Sequence, residues 1–290
     1  VSSRITTRAA ILTADDFGLS REVNAGIIEA HRKGVLTGTS LMVAGSACDE
    51  AAELASENPA LDVGLHLVVC RGFAVSSAVR MAGITNAKSE FPRNPVMAGM
   101  RYFFNRRTRS ILRDEIRAQI DRHLQLVGYL NHIDGHLNFH VHPAIADLLI
   151  DLIREYRVPC MRLPREPVFT TLAIAHDNAA RKLIEAAIFR ALARRTRRLL
   201  ATAGVRTTDW LFGLHQSGRL SADYVAGIVA RLRAGSTEIY FHPAMDIGGT
   251  PPPAWAQREV AILTSPRLRD AFTSGGIQLI NFATLAKRER

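Results

Sequence analysis

The sequence predicts an α/β fold, a (β/α) barrel forming a single domain over residues 1–290 with two insertions. Three observations point there. Short apolar runs alternate with longer stretches of helical spacing along nearly the whole chain, the pattern of a parallel sheet with crossover helices. No Gly-rich nucleotide fingerprint follows the first strand, which favours a barrel over a dinucleotide-binding layer. Asp and His also recur where strands end, and strand C-termini in a barrel converge on one face.

The elements follow in order. Residues 9–14 read as a buried strand ending at Asp15-Asp16-Phe17-Gly18. Ser20 is a natural N-cap for a helix with Val23, Ile27, Ile28 and Ala30 on one face, closed by Gly34. Residues 36–43 are strand-like, residues 47–56 a short helix, and residues 63–68 a third strand. Residues 72–108 lose the rhythm and form the first insertion. An amphipathic helix over 109–127 restores it (Leu112, Ile116, Ile120, Leu124, Val127). Strand 130–134, helix 144–156 and strand 160–163 come next. The second insertion, residues 165–208, is dominated by a long basic helix. Strand 210–213, helix 222–233, strand 238–242, a final helix and strand 277–282 complete the series.

Composition bounds the rest. With 47% apolar and 22% charged residues the chain can bury a full core. The net charge of +10 raises an anionic surface as a partner, but only four of 37 basic residues are Lys, and such an Arg bias can reflect base composition. Cys48, Cys70 and Cys160 form no CxxC pair, so no disulfide framework is expected. No signal-peptide core and no run of eighteen apolar residues is present, so the expectation is a cytoplasmic protein.

The chemistry concentrates at strand ends. Asp15-Asp16 ends the first strand, His66 the third, His136 follows the fourth, and His242 ends a late one. Two imidazoles and one carboxylate make a competent site for one divalent ion, with Zn first and Co, Ni, Mn or Mg as alternatives. Neighbouring side chains on an extended chain diverge, so one Asp can bind the metal while the other faces water. Asp16 is assigned to the metal and Asp15 to the base, although spacing alone leaves their order open. Four of ten histidines lie within residues 132–142. His136 is the expected ligand there, and His140 and His142 are expected to support it. Singly, each of these residues has a bland reading as a cap or a satisfied strand-end side chain. Together they point to metal-assisted hydrolysis.

Thr13-Ala-Asp-Asp-Phe-Gly18, Asn24-Ala25, Gly34-Val-Leu-Thr-Gly-Thr-Ser-Leu-Met-Val43 and Gly64-Leu-His-Leu67 form an ordered set that resembles the YdjC-like carbohydrate deacetylases. Arg162-Leu-Pro-Arg-Glu-Pro167, Phe212-Gly-Leu214 with Ser217-Gly218, Glu238-Ile-Tyr-Phe-His-Pro-Ala244 and Gly276-Ile-Gln-Leu-Ile-Asn-Phe282 are similar to its hopanoid-associated branch. The resemblance implies a distorted (β/α) barrel like that of polysaccharide deacetylases, and removal of the acetyl group from an N-acetylglucosaminyl hopanoid. It implies metal ligands at Asp16, His66 and His136, a base at Asp15, an acid at His242, and an arginine at Arg162 that orients the base. One position departs: many members carry a second histidine two residues after the ligand, where this chain has Asn138.

A lipid-linked substrate needs an apolar surface. Residues 96–104, followed by Arg106 and Arg107, are one candidate, and the basic helix over 183–200 is another. Peripheral contact with an anionic membrane, the inner membrane, is the corresponding expectation. Free chitooligosaccharides are an alternative substrate, and a metal-dependent phosphoesterase is the rival enzyme. Nucleic acid is not expected, since no basic recognition motif interleaved with aromatics is present.

Overall fold

Strand β1 (Arg8–Phe17) is buried on both faces from Ala9 to Asp15, as the central strand of a parallel sheet must be. The computed structural model describes residues 7–77 and 80–288, so the reading of residues 1–6 lies outside it, as do positions 78 and 79 of the first insertion. After β1 come α1 (Arg21–Arg32), β2 (Gly38–Leu41), α2 (Cys48–Glu57) and β3 (Asp62–Leu67). Then follow α3 (Pro95–Phe104), α4 (Thr108–Val127), β4 (His132–Gly135), a 3-10 turn (His136–Val141) and α5 (Pro143–Tyr156). The chain continues through β5 (Cys160–Met161), α6 (Val168–Ile174), α7 (Ala179–Thr202), β6 (Trp210–Phe212) and α8 (Ala222–Val229). It ends with β7 (Gly235–Phe241), α9 (Ala254–Leu263), α10 (Pro266–Ser274), β8 (Ile277–Leu279) and α11 (Phe282–Lys287).

Every strand pairing is parallel, in the order β5-β4-β3-β2-β1-β7-β6, and β8 pairs the start of β1. The expected α/β barrel is therefore present as a curled half-barrel. Among the described residues its two edges, β5 and β6, do not pair with each other: Met161 of β5 donates its N–H to the Arg206 carbonyl at 3.0 Å, and Leu211 of β6 donates to the Arg165 carbonyl at 3.2 Å. Pro159 and Pro164 flank β5 and offer no N–H, which keeps that edge short.

Local signals placed most boundaries. Ser20 caps α1 by accepting from the Val23 N–H, and Ser221 does the same for Tyr224 at the start of α8. Gly128, left-handed at φ 84°, ends α4. Some expectations shorten. The last strand stops at Leu279 because Asn281 caps α11, and the expected final helix is split into α9 and α10 at Ser265-Pro266. The segment of residues 72–108 holds irregular turns and α3. It is tied to the barrel by the buried Glu115, whose carboxylate accepts from the Val75 and Ser76 N–H groups at 2.9 Å each. The segment of residues 165–208 folds as α6 and α7. No helix among the described residues is long and apolar enough to cross a membrane.

Candidate active site

Asp15 and Asp16 point apart, but simple pleating is not the reason. The β1–β2 register shifts between Ala14 and Phe17, and Asp16 sits in the left-handed region at φ 67°. This bulge turns Asp15 into the barrel and Asp16 toward the mouth, a strained backbone of the kind found at functional sites. Asn24 steadies the turn that follows: its Oδ1 accepts from the Gly18 N–H at 2.8 Å and its Nδ2 donates to the Ala47 carbonyl.

Three side chains meet at the mouth. Asp16 Oδ1 lies 3.2 Å from His66 Nε2 and 3.0 Å from His136 Nδ1. One donor atom from each falls within 4.8 Å of the others. His66 is oriented from behind: its Nδ1 is 2.8 Å from Asp134 Oδ1 and 3.0 Å from Ser40 Oγ. A carboxylate behind an imidazole is the usual arrangement around a metal ligand. Gly64 lets the chain lie against the His132 ring, where a Cβ would come within 2.3 Å. The electrostatics agree. Burial alone would raise the Asp16 carboxyl, yet hydrogen bonds from His136 and His66 hold it well below the usual range. Burial would lower His66, yet Asp134 and Asp16 push it up to about 10. The cluster demands positive charge, and its nitrogen and oxygen donors fit a divalent cation such as zinc.

Behind this mouth lies a charge network around Arg162, which follows β5 and is fully buried. Its Nη1 and Nη2 donate to Asp15 Oδ2 and Oδ1 at 2.6 and 2.7 Å, and its Nε donates to Glu238 at 2.9 Å. Asp134 Oδ2 is a third carboxylate, 2.9 Å from Nη2. Burial opposes ionisation of Asp134, but Arg162 and His66 hold its carboxyl low; at Glu238 burial dominates and pushes the carboxyl up. The Tyr240 ring covers the guanidinium 4.6 Å from its carbon.

His242 stands across from Asp15, its Nε2 4.0 Å from Asp15 Oδ2. The buried Glu259 of α9 accepts from the His242 N–H at 2.5 Å, and Gly26 of α1 abuts the Ala244 backbone, where a Cβ would lie 2.6 Å away. His140 does not face the cluster; its Nε2 meets the Arg162 carbonyl at 3.1 Å. His142 precedes α5 and stacks on Phe139. Asn138 is buried in the turn after β4, in the left-handed region at φ 56°.

All six residues singled out in the sequence thus come together. Sequence reasoning missed Asp134, Glu238, Tyr240 and Glu259 as members of the site. A charged residue inside an apolar parallel strand was the available signal for the first two. A second grouping, Asp15, His66 and Asp134, also brings donor atoms together, but Arg162 already occupies both carboxylates. A two-metal phosphoesterase arrangement therefore finds no free carboxylate pair here.

The family model described as YdjC-like protein matches residues 9–274. The chain belongs to the YdjC-like family. A carbohydrate deacetylase of Geobacillus stearothermophilus is 30% identical over 286 residues, covering 97% of this chain and 99% of that protein. One of Brevibacillus brevis is 42% identical over 149 residues, a match covering 51% of this chain and 57% of that relative. Among solved structures, an Enterococcus faecalis V583 protein named for cellobiose-phosphate cleavage aligns with a TM-score of 0.74. It is 26% identical and covers 96% of this chain and 99% of its own. The YdjC-like half-barrel is thus shared over the full length, and relatives in this enzyme family are named carbohydrate deacetylases.

Proposed function

We propose that the chain is a hydrolase that removes the acetyl group from an N-acetylated sugar, releasing acetate and the free amine. One observation carries the reading: Asp15, gripped by Arg162, lies beside the Asp16–His66–His136 cluster and faces His242 at 4.0 Å. A base beside a cation site and an acid opposite it are what amide hydrolysis needs. Family membership and the full-length match to a carbohydrate deacetylase support the same class.

Asp16, His66 and His136 would hold one divalent metal, zinc first among Co, Ni, Mn and Mg. When bound, it would supply a Lewis acid and lower the pKa of water. Asp15 takes the proton of the attacking water, its carboxylate aimed by the Arg162 fork. His242 delivers a proton to the sugar nitrogen, because an amide leaves readily only as the amine. Tyr240 and the buried Glu238 keep bulk water from Arg162, so its hold on Asp15 acts in a low-dielectric setting.

The finer reading is a substrate in which the N-acetylglucosamine is carried on a hopanoid. The late sequence motifs support it. The test is acetate release by metal-reconstituted protein offered an N-acetylglucosaminyl hopanoid and chitobiose in parallel. Asp15→Asn should retain metal and lose about 10²–10⁴-fold in turnover. Normal turnover in that variant removes the base assignment. Release from chitobiose alone retains the chemistry and discards the lipid.

A further inference from the structure

Helix α3 is packed inside out. Its buried face consists of Ala98, Gly99 and Tyr102. Its outward face consists of Val96, Met97, Met100, Phe103 and Phe104, each between 47% and 74% exposed. These five positions follow helical spacing and form one continuous stripe, with the Phe103 and Phe104 rings meeting edge to face, centroids 5.1 Å apart. In a helix whose only solvent is water the large apolar groups turn inward. Here alanine, glycine and a single tyrosine do, and an exposed stripe of this kind marks an interaction surface.

Its location gives the stripe meaning. Tyr102 Oη donates to the Val69 carbonyl at 2.7 Å, just beyond the end of β3. Gly99 lies against His142, where a Cβ would come within 3.1 Å of Nε2. The helix therefore sits over the C-terminal ends of β3 and β4, the ends from which His66 and His136 emerge. Charge identifies the occupant. Residues 91–113 include Arg93, Arg101, Arg106, Arg107, Arg109 and Arg113 and no Asp or Glu. Another exposed apolar stretch, Leu183, Ile184 and Ile188 of α7, is interrupted by Glu185.

We propose that the outward face of α3 seats the protein on an anionic lipid bilayer. Its Val, Met and Phe side chains enter the interfacial layer while the surrounding arginines meet headgroup phosphates. A symmetric pairing of two copies through this face would instead oppose two acid-free arginine clusters, which like-charge repulsion disfavours. The inference rests on the proposed function in one respect: the docked surface would bring the mouth of the site to a glycan carried on lipid.

The test is flotation of the full chain with vesicles of phosphatidylglycerol and phosphatidylcholine, against phosphatidylcholine alone. The variants are Met100→Ser/Phe103→Ser/Phe104→Ser and Arg106→Glu/Arg107→Glu, all at exposed positions. Wild-type protein should float with the anionic vesicles, and each variant should lose about tenfold or more in partitioning. Acetate release from soluble chitobiose should stay within about twofold of wild type in both variants, since neither touches the catalytic cluster. Wild-type protein that ignores anionic vesicles, or a triple-Ser variant that binds as well as wild type, overturns the proposal. So does a dimer in sedimentation velocity that depends on these residues without vesicle binding. Vesicle binding lost in the variants, with no acetate released even by wild type, supports this surface and faults the proposed chemistry instead.

Discussion

Arg162 clasps Asp15 through two parallel hydrogen bonds, Nη1 to Oδ2 at 2.6 Å and Nη2 to Oδ1 at 2.7 Å, with both residues buried. A planar guanidinium matches a carboxylate in this way and a lysine ammonium does not. Arg162→Lys should therefore keep the charge and lose the aim of Asp15, lowering kcat for acetate release by about 10²-fold. Arg162→Met would strand Asp15, Asp134 and Glu238 without their shared cation, at a cost of about 3–5 kcal/mol in urea unfolding. Wild-type kcat in the Lys variant would remove the orienting role.

Asp134 acts on the mouth through His66. Its Oδ1 holds His66 Nδ1 at 2.8 Å, which leaves Nε2 to face Asp16. Asp134→Asn should weaken zinc binding by about 10–100-fold in a chelator competition. Unchanged affinity would show that Ser40, also within reach of Nδ1, suffices to orient the ring.

Asp16 carries backbone strain as well as a carboxylate proposed to bind the metal. At φ 67° a β-carbon is disfavoured, and glycine is not. Asp16→Ala and Asp16→Gly should both abolish metal binding, yet the Gly variant should be more stable than the Ala variant by about 1 kcal/mol. Equal unfolding midpoints would mean that the bulge relaxes once the carboxylate is gone.

Acid sensitivity has an identifiable source in α4. His123 of α4 is buried, with Nε2 3.0 Å from the Tyr129 carbonyl, and burial lowers its pKa to about 4. The unfolded chain binds this proton near pH 6.5, before the folded chain does, so His123 leaves stability unchanged above that pH. As the pH falls from about 6.5 toward 4, stability is lost. His123→Gln can keep the donor to Tyr129 without titrating, and it should lose about 2 kcal/mol less than wild type between pH 7 and pH 5. Parallel losses in both proteins would clear His123.

Much of the site was legible because its residues stand at strand ends. Asp15, Asp16, His136 and His242 stand where an apolar run stops, and His66 interrupts the third run near the end of its strand. Arg162 entered through the family resemblance, since its own surroundings carried no sign of a partner. Asp134 and Glu238 were harder. A charged residue within a strand ordinarily faces solvent, and only the curl of the sheet turns both into the interior beside Arg162. The left-handed turn at Asp16 left no sequence mark. The residues 96–104 were visible as an apolar stretch, but helical periodicity is the same whichever face points inward.

By itself the sequence determined the alternation of strands and helices, the caps at Ser20 and Ser221, the residues able to bind a metal, and the family. Those features depend on residues within a turn or two of one another, or on motifs read in order. Only the tertiary structure decided that Arg162 grips Asp15 from 147 positions away, that the barrel stays open between β5 and β6, and that α3 turns its large apolar groups outward. Each of these depends on which surfaces meet once the sheet has curled, and no local propensity encodes that.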